Sequence, residues 1–354
     1  MNQKHMRAFL ACTAALLLLV VGPRAQERPR TDQKRDEQLG AYLRMGRYAD
    51  ARRVIDQMLR AQRQEDLENL RAVFVGPNMS IRRGSASFSC DVDASGVRVP
   101  LTINGTAANW LLDTGANISV ISNAEAARLG LSVRESAGRL TDLAGGTISA
   151  RTAIARRVVI GHTLLREVSV LVLPADQEPW KEPAPGRQGI LGLPLAIALG
   201  AVQWSRDGLC RTGSAVLDRR AAPDVSNRLR FDRLQIISTV VFDRKPLEFV
   251  LDTGNQAGTQ LWERFGRDFQ RVVAEQGTKG TATVTQIGGA TDRDVVTIPD
   301  LRLRVGGKDL ALTRGSVFSR PVGDDRFHGL LGMDALSQAT EVRIDFRSMT
   351  LTLQ

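Results

Sequence analysis

The stretch Trp110-Leu111-Leu112-Asp113-Thr114-Gly115-Ala116 constrains this chain most, because Phe249-Val250-Leu251-Asp252-Thr253-Gly254-Asn255 repeats it 139 residues later. Each copy reads as an apolar strand that delivers a carboxylate into a tight turn. Glycine is expected there to allow the backbone conformation, and the threonine hydroxyl to bond across the turn. One Asp-Thr-Gly alone is an ordinary turn triplet. A second shared feature changes its weight: Gly189-Ile190-Leu191-Gly192 follows the first copy and Gly329-Leu330-Leu331-Gly332 the second. Asp113 to Gly192 is 79 residues and Asp252 to Gly332 is 80. Two unrelated signals kept at one spacing mean an internal duplication.

With these motifs the sequence resembles a single-chain aspartic protease of the pepsin and retropepsin type, over roughly residues 78 to 354. The resemblance implies a mainly β, bilobal fold in which each lobe gives one aspartate to a shared cleft. It assigns Asp113 and Asp252 as the catalytic pair, with Thr114 and Thr253 bracing the two turns. Gly115 and Gly254 would give close backbone approach, their amides aimed at the carboxylates. Two adjacent carboxylates share a proton, and their titrations split. The ionised member would take a proton from a water held between them, while the protonated one bonds the scissile carbonyl. The implied activity is endopeptidase cleavage of peptide or protein substrates, with no cofactor and no metal. A different class also fits: a non-catalytic peptide-binding or scaffolding protein that keeps the fold.

The sequence departs from pepsins in three ways. Ala116 and Asn255 stand where pepsin-like enzymes place Ser or Thr, and the only tyrosines are Tyr42 and Tyr48, outside the β region. The lobes are also short. The pattern is nearer to bacterial retropepsin-like proteins, and unlike surroundings for the two aspartates leave the pH optimum open.

Along the chain, residues 1–25 carry Lys4 and Arg7, an apolar run from Ala8 to Val21 and a small residue at the end, the pattern of a signal peptide. An uncleaved anchor in the membrane is the competing reading. Residues 26–77 are expected to form a helical hairpin or a pro-segment. Ala51, Val54, Ile55, Met58 and Leu59 make a helical stripe, and Gly46 to Ala51 is similar to one tetratricopeptide-type unit. One unit cannot bury its own face, so residues 33–72 must dock on the β domain or meet a protein partner. The lobes are placed at 78–220 and 221–354, split at the polar stretch around Pro223. Asn104-Gly105 signals a hairpin, and Ala124 to Gly130 a short helix closed by glycine. Glycine-rich hairpin tips at Gly145-Gly146 and Gly288-Gly289 are the candidate flaps.

Formal charge is +10, of which Lys4, Arg7 and Arg24 belong to the leader, and acids and bases are interspersed. That is a solvated basic surface, with no nucleic-acid signature. Of three cysteines Cys12 lies in the leader, leaving Cys90 and Cys210. In the implied lobe these sit in the first and last segments and form a candidate disulfide, against the alternative of two buried thiols. A bridge suits a periplasmic or secreted protein. His162 and His328 read as solvated loop residues, and no zinc or nucleophilic-serine motif occurs. The sequons at Asn78, Asn104 and Asn117 read as accidental.

Overall fold

The computed structural model describes residues 30–61, 65–93, 95–141, 147–175, 180, 184–216, 224–286, 289–318 and 326–354. The leader, residues 1–25 with Cys12, lies outside the described residues. Among those described, no helix is long and apolar enough to cross a membrane.

Three helices come first: α1 (Arg30–Arg44), α2 (Tyr48–Ala61) and α3 (Glu65–Val73). The turn between α1 and α2 uses Gly46 at φ +65°, where a side chain would be strained. The expected stripe is buried at Ala51, Val54 and Ile55 and faces Leu39 and Leu43 of α1. The third helix was not separately expected, and it adds Leu67, Leu70 and Val73 to the same cluster. Asp50 pins the hairpin. It pairs with Arg47 and Arg53 and accepts from the Asn78 amide.

The first half of the β region runs β1 (Ser80–Arg82), β2 (Ala86–Ser89), β3 (Asp91–Asp93), β4 (Gly96–Ile103), β5 (Thr106–Leu112) and β6 (Ser119–Ser122). After α4 (Asn123–Arg128) come β7 (Val133–Thr141), β8 (Thr147–Ile160), β9 (Thr163–Leu173) and β10 (Gly189–Leu191). Then follow α5 (Leu193–Leu199), β11 (Ala201–Ser205) and β12 (Leu209–Thr212). The second half repeats the plan with β13 (Leu229–Asp232), β14 (Gln235–Phe242), β15 (Lys245–Leu251), β16 (Gln260–Leu261), α6 (Glu263–Asp268) and α7 (Gln270–Gln276). It continues with β17 (Thr278–Gln286), β18 (Gly289–Val305), β19 (Lys308–Phe318), β20 (Gly329–Leu331), α8 (Met333–Leu336), β21 (Glu341–Asp345) and β22 (Thr350–Leu353).

The chain is therefore mainly β and bilobal, with an N-terminal helical extension. The first-lobe sheet is ordered β1-β9-β6-β10-β5-β4-β8-β7 and the second β13-β14-β15-β20-β16-β19-β18-β17. In each, the strand that ends at the Asp-Thr-Gly turn runs parallel to the Gly-apolar-apolar-Gly strand: β5 beside β10, β15 beside β20. The Asn104-Gly105 turn forms as expected, both residues at positive φ between Ile103 and Thr106. The helix at Ala124 closes through Gly130, whose amide donates to the Ala127 carbonyl.

A third sheet, β2-β12-β11-β21-β22, joins the halves. The closing hairpin of the first half pairs β11 with β21 of the second, Val202 opposite Ile344. Cys90 and Cys210 are bridged at a Cα separation of 5.8 Å, beside the pairing of β2 with β12.

Candidate active site

The apolar strands β5 and β15 drive Asp113 and Asp252 into the centre of the molecule, and both are 0% exposed. Parallel pairing fixes their backbones: the Asp113 amide donates to Leu191 O and the Asp252 amide to Leu331 O, each at 3.0 Å. This gives the second motif a physical role. A Cβ on Gly189 would overlap the Trp110 ring, and one on Gly192 would lie 2.8 Å from Ala116 O. On Gly332 it would lie 2.9 Å from Asn255 Nδ2. The glycines let the second strand lie flush against the first and its turn.

The two turns interlock. Thr114 Oγ1 donates to Leu251 O at 2.7 Å and accepts from the Thr253 amide at 3.1 Å. Thr253 Oγ1 reciprocates, donating to Leu112 O at 2.8 Å and accepting from the Thr114 amide at 3.0 Å. Each hydroxyl thus satisfies one donor and one acceptor of the opposite lobe, in a buried setting where an unmade bond is costly.

Asp113 Oδ1 accepts from the amides of Gly115 at 2.8 Å and Ala116 at 3.0 Å, and Asp252 Oδ1 from the Gly254 amide at 2.9 Å. The glycines face the opposite carboxylates. A Cβ on Gly115 would fall 2.6 Å from Asp252 Cγ, and one on Gly254 would overlap Asp113 Cγ. Neither glycine has a positive φ. The sequence suggested both a conformational role and a close backbone approach; the first is corrected, and the second is what the packing against the opposite carboxylates requires. Oδ2 of both aspartates is buried without a protein donor. Burial, then the charge of Asp252, pushes the Asp113 carboxyl well above the usual range. Burial pushes Asp252 up to about 6. Both carboxyls therefore bind a proton more tightly than a solvated carboxyl does.

Ala116 offers no side-chain donor. Asn255 turns away, its Nδ2 donating to Gly258 O at 2.7 Å and its Oδ1 accepting from the Ala257 amide at 3.1 Å. Of the flap candidates, Gly145, Gly146 and Gly288 lie outside the described residues, while Gly289 opens β18 opposite Gln286. The arms of both hairpins are present, β7 with β8 and β17 with β18.

His162 is exposed, as expected, but His328 is not. It is 4% exposed, its Nδ1 accepts from the Glu248 amide and its Nε2 bonds Asp268, so it is a buried strut beside Phe249. It stands directly before β20, and its burial comes from Glu248 and Asp268, which are distant in sequence. Asn117 is also buried, at 3% exposure, which suits an accidental sequon.

Residues 99–195 match the family described as Aspartyl protease. The matched stretch holds the first Asp-Thr-Gly turn and the Gly189–Gly192 strand that lies beside it. Among solved structures the chain is similar to a retropepsin-like aspartic protease from Rickettsia conorii, at 15% identity over 38% of this chain and 92% of that one, with a TM-score of 0.27. It is also similar to an aspartic proteinase from Irpex lacteus, at 11% identity over 77% of this chain and 98% of that one, with a TM-score of 0.42. No curated protein matches the chain.

Proposed function

We propose that the chain is an aspartic endopeptidase that hydrolyses peptide bonds in extended peptide or protein substrates. The observation that carries this is the juxtaposition of Asp113 and Asp252, each against the other lobe's glycine, with one buried Oδ2 apiece free of protein donors. The ionised member takes a proton from a water between them as that water attacks the scissile carbonyl. The protonated member hydrogen-bonds the carbonyl oxygen as negative charge develops there. Proton transfer to the departing amine then completes the hydrolysis and restores the shared proton. The Thr114–Thr253 interlock keeps the carboxylates in register through the cycle. Ordering of this kind is worth much of the barrier in such reactions.

The bridge between Cys90 and Cys210 supports an oxidising compartment, periplasmic or extracellular. A second reading, peptide binding without cleavage, draws on the complete burial of both carboxylates. Digestion of an unbiased peptide library by wild type, Asp113→Asn and Asp252→Asn separates the two. Cleavage by wild type alone is expected. Equal cleavage by either variant would exclude this mechanism, and binding without cleavage by all three would favour the second reading.

A further inference from the structure

The helical extension and the first-lobe sheet share an apolar cluster, in which Val120, Leu171 and Ile190 of the sheet join Leu39, Val54 and Leu70 of the helices. Between the same two parts lies a cavity of about 430 Å³. It is walled by α2, by the segment that joins α3 to β1, and by β7 and β8. That volume suits a small ligand.

The charge on its walls is unbalanced. Arg52 of α2 and Arg134 of β7 both line the cavity. Arg52 Nη2 donates to Gly76 O at 3.3 Å, but its Nε is buried and has no hydrogen-bond partner. A charged donor left unmade in a buried position is costly. The acids of α2 are already taken. Asp56, also on the wall, pairs with Arg71 at 2.6 Å. Asp50 is held by Arg47, the Asn78 amide and Arg53, the last of which lines the cavity too. Among the described residues neither acid pairs with Arg52 or Arg134.

Val75, Pro77 and Ile154 give the cavity apolar surface. Their segment is fixed in place: Ser169 Oγ of β9 donates to Val75 O at 2.9 Å. Gly76 takes φ +129°, and a Cβ on it would fall 2.3 Å from Ser169 Oγ. The wall is thus pinned to the sheet before any ligand arrives, which lowers the ordering cost of binding.

We propose that this cavity is a second ligand site, apart from the two Asp-Thr-Gly turns, for a carboxylate carried on a short apolar stem, as at the C-terminal residue of a peptide. The forked guanidinium of arginine matches the two oxygens of a carboxylate. Arg52 and Arg134 supply the charge, while Val75, Pro77 and Ile154 receive the stem. A bare inorganic anion would leave that apolar surface unused. The site stands whether or not Asp113 and Asp252 cleave peptide, because its occupancy is read as binding.

The test is calorimetric titration of the full chain as wild type, Arg52→Gln and Arg134→Gln. The probes are acetyl-dialanyl-leucine, its C-terminal amide, 4-methylpentanoate and inorganic phosphate. Intact peptide recovered by mass spectrometry at the end separates binding from hydrolysis. The free-acid peptide should bind at least about tenfold more tightly than the amide. Each substitution should weaken the free acid by about tenfold and leave the amide unchanged, as for the loss of one charged hydrogen bond. If 4-methylpentanoate binds as well as the peptide, the carboxylate comes from small free acids. If it binds much more weakly, the carboxylate is a peptide terminus, and either result upholds the site. Equal affinity for acid and amide, no binding of either acid, or acid binding untouched by both substitutions would overturn it. So would phosphate binding more tightly than the peptide with the same dependence on both arginines. Arg52→Gln loses the bond to Gly76 as well; should it fail to fold, Arg134→Gln decides alone, since Arg134 is exposed.

Discussion

Gly254 faces Asp113 so closely that a methyl group on it would overlap the carboxyl carbon, and Gly115 stands in the same relation to Asp252. Because neither glycine has a positive φ, alanine costs nothing in backbone conformation at either position. The methyl must instead push the opposite lobe's carboxylate aside. Gly254→Ala and Gly115→Ala should each cut kcat/KM by at least about 100-fold through misplacement of the pair, and destabilise by about 1 to 3 kcal/mol through overpacking. Gly130→Ala is the control. Gly130 has φ +64° and open space around its Cβ position, so it should lose about 1 kcal/mol and keep its activity. Equal activity in all three variants would contradict the steric argument.

The hydroxyls of Thr114 and Thr253 each bridge one amide and one carbonyl of the opposite lobe. Serine can make the same two bonds, while valine keeps the shape and loses both. Thr114→Ser should therefore remain within about 1 kcal/mol of wild type, whereas Thr114→Val leaves a buried donor and acceptor unpaired at about 1 to 3 kcal/mol each. Urea unfolding of the pair, with kcat/KM measured alongside, checks this. A valine variant as stable as the serine variant would mean the interlock contributes little.

The duplicated plan was legible because each lobe must repeat two local features that few other folds need together: a carboxylate in a glycine turn, and a glycine-bounded strand able to lie against it. Trp110 over Gly189 and Phe249 beside Gly329 show why that second strand begins with glycine. Periodicity also located α2, since its stripe is unambiguous. The third sheet was not legible. β11 pairs with β12 on one edge and with β21 on the other, and the second pairing is a contact between distant residues that alternation along the strand does not encode. His328 was misread for a related reason, because a histidine before a glycine looks like a turn until Glu248 and Asp268 are known to flank it. The seat of the helices was left open, since their stripe shows only that something apolar covers it.

Burial sets a pH dependence of stability. Asp252 binds its proton more tightly in the folded protein, at about 6, than at the ordinary 3.8 of an unfolded chain. Its contribution is therefore fully present below about pH 4. It is lost as pH rises through about 6, because the unfolded chain releases the proton first. Asp252→Asn removes this penalty while its side-chain oxygen still accepts from the Gly254 amide. The variant should match wild type at about pH 4 and exceed it at pH 7 by on the order of 1 to 3 kcal/mol, despite losing activity. Urea midpoints at the two pH values test the sign. A variant less stable than wild type at pH 7 would show that the carboxylate is held by donors rather than strained by burial.

The bridge between Cys90 and Cys210 closes 120 residues of chain. It ties the segment after β2 to β12, at one edge of the sheet that both halves share. A loop of that length restricts the unfolded chain by up to about 4 to 5 kcal/mol on chain-entropy arguments, and commonly by less. Its site is apart from the two aspartate turns, which are held by β10, β20 and the threonine interlock. Cys90→Ser/Cys210→Ser should thus lower the urea midpoint while kcat/KM in buffer stays near wild type. Cys210 is fully buried and Cys90 nearly so, at 0% and 8% exposure. Reductant should therefore open the bridge slowly in buffer and rapidly once urea populates the unfolded chain. Alkylation with and without reductant, followed over time by mass spectrometry, measures both rates. Fast reduction in buffer with simultaneous loss of turnover would place the bridge in the working structure of the site rather than in the stability of its scaffold.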